Sequence, residues 1–256
     1  MSYLSEASGS QKVGFFIAVI SAGLIARFFW AGGIEEYFNP AKQVENQIVE
    51  VLEARPGDLA VLRAMEQSFP LQYDDLLDAM TDAGMQNAPP EMVIEAGSRQ
   101  LALFMASHRN DFAAAPLASL DAVLEKERAL LESLLTDEPV YCADYLFGTL
   151  IPSDPLREES SRLIGETAAA RVQAMAAGRA DQQLRLAITP AILDGLADTM
   201  KDEGASAQQL AVLFGDADSA TLSAEQQCDS ALRMLSSIER QSDTRRALLI
   251  GKMLAR

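Results

Sequence analysis

The sequence is poor in the side chains that most often carry chemistry. Its 256 residues include one histidine, two cysteines and one tryptophan, and aromatic residues make up only 6%. The lone histidine, His108, cannot build a multi-histidine metal centre. It could act as a general base, but no GxSxG nucleophile elbow accompanies it. A place on the surface or at a helix end is the plainer expectation for it. Cys142 and Cys228 are too far apart for a CxxC redox or zinc motif. The 15 glycines are scattered, with neither GxGxxG nor GxxxxGK[ST] among them, so nothing supports a nucleotide loop. Asp74, Asp75 and Asp78 lack the alternating ligands and glycine of a calcium loop, and they read as a solvated acidic face. No catalytic residue, cofactor or metal is predicted.

β-structure is equally unsupported, because no stretch alternates apolar and polar residues over the length of a strand. Leu and Ala are abundant, and helix-like stretches are broken by Pro and Gly. The expected fold is all-α: a single N-terminal transmembrane helix followed by an irregular multi-helix bundle. Residues 1–12 read as a polar lead, 13–34 as the membrane anchor and 35–256 as one acidic helical domain.

Charge is plentiful but mostly of one sign. Beyond Ile34 the chain carries 36 acidic residues (37 less Glu6) against 19 basic ones (21 less Lys12 and Arg27). So acidic a domain repels phosphate backbones, which disfavours nucleic acid as a partner. The tail is the exception, with Arg240, Arg245, Arg246, Lys252 and Arg256 outnumbering Glu239 and Asp243. These cations suit the C-terminal end of a last helix, or else a basic face toward anionic lipid or an acidic partner.

The one long apolar run is Val13–Ile34, VGFFIAVISAGLIARFFWAGGI, interrupted only by Arg27. At 1.5 Å per residue it reaches about 33 Å, enough to cross a hydrocarbon core of about 30 Å. Arg27 lies near one end and can snorkel, and Phe28, Phe29 and Trp30 beside it form an interfacial anchor. Gly14, Ala18, Ala22 and Ala26 recur every fourth residue, a stripe that permits close packing against another membrane helix. A cleaved signal peptide and a buried core helix are the competing readings. The aromatic trio makes a poor cleavage region, so a retained anchor is preferred. Lys12 ahead of the span and Glu35 and Glu36 after it favour a cytoplasmic N-terminus, which puts the domain in the bacterial periplasm.

In that compartment a long-range Cys142–Cys228 disulfide between two helix starts is plausible. Two separate buried thiols are the alternative. Leu117–Leu135 reads as a helix charged on one side, with Leu120, Val123, Leu124, Leu131 and Leu134 facing the core. Arg171 falls in a long helix on which salt-bridged surface is expected. Tyr141, Tyr145 and Phe147 form the densest aromatic cluster and are the candidate partner groove.

The expected function follows from this plan: a non-enzymatic, inner-membrane-anchored protein that binds a protein partner or stabilises an assembly. Two alternatives remain open. One is an envelope enzyme using carboxylates on cell-wall material. The other is a soluble cytoplasmic helical protein that buries its N-terminal helix.

Overall fold

Proline opens six of the twelve α-helices among the described residues, at Pro40, Pro56, Pro70, Pro90, Pro139 and Pro190. The ring presets φ for the first helical position, where the missing N–H is not needed. A computed structural model describes residues 40–53, 56–147 and 157–254. The apolar run 13–34, and with it Gly14, Ala18, Ala22, Ala26 and the Arg27–Trp30 anchor, lies outside them. No helix of the described residues is long and apolar enough to cross a membrane. There is no strand among them.

The helices are α1 (Pro40–Glu53), α2 (Pro56–Ser68), α3 (Pro70–Met85), α4 (Pro90–Ser107), α5 (Arg109–Ala113), α6 (Leu117–Asp137), α7 (Pro139–Phe147), α8 (Glu158–Ala180), α9 (Pro190–Asp202), α10 (Ala207–Leu213), α11 (Ala224–Glu239) and α12 (Asp243–Met253). A short 3-10 turn, Ser219–Thr221, precedes α11. The residues gather into two compact units.

The first unit holds α1–α4 and the start of α8 through Gly165. α3 packs on α1, α2 and α4. Its interior includes Leu62, Met65, Phe69, Leu76, Met80, Leu101 and Phe104. The Phe69 and Phe104 rings meet edge-on, with centroids 4.9 Å apart, an arrangement that aligns ring edge with ring face. Asn87 takes φ 55° in the connection between α3 and α4, a left-handed position that asparagine tolerates well. The approach of α8 to α2 depends on glycine: a Cβ on Gly165 would lie 2.2 Å from the Gly57 carbonyl oxygen.

The second unit holds α5–α7, α8 from Glu166 onward, and α9–α12. α6, α7, α9, α10 and α12 all pack against α11. Leu120, Leu124, Leu131, Leu134, Leu196, Met200, Ala231, Leu235, Ile238, Leu249 and Ile250 are buried there. Capping boxes start α10 at Ser206 and Gln209, and α11 at Ser223 and Gln226. Each satisfies backbone N–H groups that a helix start would otherwise leave unpaired. Arg246 of α12 holds Asp121 of α6 through Nε at 2.9 Å and Nη2 at 3.1 Å. Such two-pronged pairing fixes geometry as well as charge.

Candidate functional site

Three features of the second unit stand out chemically. The first is a charge pair in the interior. Glu127 sits on α6 between Leu124 and Leu131, so it occupies a core position in an otherwise apolar stripe, and its side chain is 5% exposed. Arg171 of α8, 9% exposed, places Nη2 2.9 Å from Glu127 Oε2. The Tyr145 hydroxyl on α7 lies 3.0 Å from both carboxylate oxygens and donates to them. Arg171 Nε makes no hydrogen bond. Burial alone would pull the guanidinium's pKa down. The charge of Glu127, the Tyr145 oxygen and the Glu127 hydrogen bond outweigh that and hold it above its ordinary value. Arg171 is therefore a buried member of an ion cluster, not the salt-bridged surface residue that the helix pattern suggested. The reason is its partner: Glu127 supplies the opposite charge and Tyr145 a further hydrogen bond to it.

The second feature is a disulfide between Cys142 of α7 and Cys228 of α11, with Cα atoms 5.8 Å apart and neither residue exposed. It lies one helical turn from Tyr145 on α7. Tyr141 and Tyr145 are half-buried, and the side chain of Phe147 falls outside the described ones. With its hydroxyl turned to the Glu127 carboxylate, Tyr145 is tied into the interior of the unit.

The third feature is the segment between α8 and α9. It is non-helical, and it carries the most exposed large apolar side chains of the described residues: Leu184 at 96% and Leu186 at 84%. Between them Arg185 turns back, donating from Nη1 to the Ala113 carbonyl at 2.5 Å and from Nη2 to the Ala115 carbonyl. The Gln183 backbone N–H donates to the Ala114 carbonyl at 2.8 Å. Partial burial draws the Arg185 guanidinium below its ordinary pKa. The leucines are thus displayed by a fixed stretch of chain. Pro190 ends this stretch by opening α9. Its signal in the sequence lay in the spacing of Leu184, Leu186 and Ile188, which recur every second residue, so that a helix would put Leu186 off the face shared by the other two.

No described arrangement favours a small-molecule site. In the first unit Leu52, Asp58, Val61, Leu62, Leu76, Met80, Leu101 and Gly165 line a cavity of about 30 Å³. That is room for a water or two, far below the several hundred Å³ of a ligand pocket. Among the described residues no three His, Cys, Asp or Glu side chains gather as a metal ion would require. His108 stands at the N-cap position of α5 without a side-chain cap bond, and its Nδ1 lies 2.7 Å from Asp111 Oδ2. Two cations of the basic tail are engaged internally: Arg240 pairs with Glu203 at 3.0 Å and Arg246 with Asp121.

Comparison with protein-family models, with curated proteins and with solved structures finds no match. The functional reading rests on the molecule's own features.

Proposed function

We propose that this protein is a non-enzymatic assembly component of the bacterial envelope. Residues 13–34 anchor it in the inner membrane, and its acidic helical part, on the periplasmic side, engages a protein partner. The observation that carries this reading is the display of Leu184 and Leu186 on a segment held by Gln183 and Arg185. Burying a leucine side chain is worth about 2 kcal/mol, and here two are left in water on anchored backbone. Two large exposed apolar side chains, two residues apart on held backbone, suit an interaction site. A formal net charge of −16 suits a partner whose apolar recess is rimmed by cations. The Cys142–Cys228 bond supports an oxidising compartment.

Replacing both leucines, Leu184→Ser with Leu186→Ser, tests the reading. Because the side chains are exposed, thermal stability should stay within about 0.5 kcal/mol of the parent. Crosslinking in membranes should lose the complex formed by the parent chain. A parent chain that crosslinks to no protein, or a double variant that keeps every crosslink, would overturn the proposal. A reporter fused after residue 256 tests the location, and cytoplasmic activity of that reporter would refute the periplasmic assignment.

A further inference from the structure

The stretch between α8 and α9 leaves a row of backbone groups open. Gln183 donates its N–H to the Ala114 carbonyl, and Arg185 is tied through its side chain to Ala113 and Ala115. Among the described residues no hydrogen bond reaches the backbone N–H or C=O of Leu184, Arg185, Leu186, Ala187 or Ile188. They belong to a non-helical run that reaches Thr189 in extended backbone, at φ −100° and ψ 157°. Leu184, Leu186 and Ile188 recur at the strand period of two, with Gln183, Arg185 and Ala187 alternating with them. Along an extended chain successive N–H groups point to opposite edges. Gln183 turns inward to Ala114, so the outward edge is that of Leu184, Leu186 and Ile188.

We propose that residues 184–188 dock by strand addition, pairing backbone to backbone with the open edge strand of a β-sheet in another protein. This rests on the partner-binding reading of Leu184 and Leu186 and names the partner's chemistry. Main-chain hydrogen bonds from the three outward residues hold the added strand, and pockets beside the sheet edge take the leucine side chains. A partner helix pairs its own N–H and C=O groups internally, and lipid tails have none to offer. An open sheet edge matches the row group for group. Charge chooses between a foreign sheet and a second copy. Two copies would each bring a net charge of −16 to the contact. Natural sheet edges commonly carry lysine, which keeps them from pairing with one another and suits an acidic chain.

Hydrogen exchange of the full chain in detergent tests this, read amide by amide with and without a probe strand, acetyl-Lys-Val-Lys-Val-Lys-Val-Lys-amide. Alone, Leu184, Leu186 and Ile188 should exchange as fast as an unfolded peptide. Saturating probe should slow those three by about tenfold or more, while Arg185 and Ala187 stay fast. Crosslinking to the partner in membranes gives a second readout. Ile188→Pro, which removes an outward N–H, should cut the crosslinked complex about tenfold below Ile188→Ala. Ala187→Pro, which removes an inward one, should leave it within about twofold of the parent. The proposal falls if the three amides are already protected without probe, as pairing with a second copy would make them. It falls too if the probe leaves them fast or slows all five alike, or if vesicles of phosphatidylethanolamine and phosphatidylglycerol slow them as the probe does. Equal crosslinking by Ile188→Pro and Ile188→Ala also sinks it, yet leaves the partner reading standing if Leu184→Ser with Leu186→Ser still loses the complex. A parent chain without any protein crosslink sinks both.

Discussion

Arg171 Nη2 and Glu127 Oε2 meet at 2.9 Å with both side chains all but withdrawn from solvent. Each charge is tolerated only because the other is there. Glu127→Gln leaves the guanidinium uncompensated and should lower unfolding stability by about 3 kcal/mol. Replacing both at once, Glu127→Leu with Arg171→Met, should recover most of that loss, because two apolar groups remove the desolvation cost instead of stranding it. Urea denaturation of the three variants reads the difference. A double variant no better than Glu127→Gln would refute the account.

This pair also marks where the sequence stops being legible. The helical class and the proline-led helix starts follow from residue order, as does the Ser223–Gln226 box. Ser206–Gln209 has the same residue types at the same spacing. The stripe of Leu120, Leu124, Leu131 and Leu134 was legible too, and its missing step is residue 127. A glutamate there looks like surface until a buried cation is known to face it, and that cation lies 44 residues away. Pairings at such range depend on how helices pack, which local pattern does not encode. The exposed leucines were hidden for the opposite reason. Sequence reports that Leu184 and Leu186 are apolar, but not the bonds of Gln183 and Arg185 to the Ala113–Ala115 carbonyls that hold their segment at the surface.

Removing the disulfide should weaken the fold globally. For a separation of 86 residues, chain entropy puts the loss at about 4 kcal/mol for Cys142→Ala with Cys228→Ala. The check is a urea midpoint measured with and without reductant. The parent midpoint should fall on reduction, and that of the double variant should not move.

Two glycines within helices should respond to alanine in opposite directions. A Cβ at Gly178 would lie 1.9 Å from the Asp111 carbonyl oxygen, so Gly178→Ala should cost about 2 kcal/mol or more. Gly195 in α9 has nothing within 4 Å of the same atom. Gly195→Ala should therefore stabilise by about 0.5–1 kcal/mol through helix propensity alone. Thermal melts of the two variants should move in opposite directions.

Glu225 lies in the first turn of α11. Its carboxyl is held below the usual carboxylate range, first by a backbone N–H and then by the Ser223 hydroxyl. A group whose folded pKa is depressed stabilises the fold above its unfolded pKa, and that contribution fades as pH falls through the lower folded value. Protection factors of the first α11 amides, corrected for the intrinsic slowing of exchange in acid, should fall as the pH drops below the ordinary carboxylate range of about 4. Glu225→Gln should flatten that dependence.

Gly165 and Gly178 stand on one helix, and each faces a carbonyl oxygen of another segment with no room for a methyl group. Leucine stripes drift readily, since one aliphatic side chain can stand in for another. At these two sites any Cβ forces backbone to shift. Over evolutionary divergence, then, this glycine pair with its fixed interval should outlast the core as the mark by which a remote homologue is recognised.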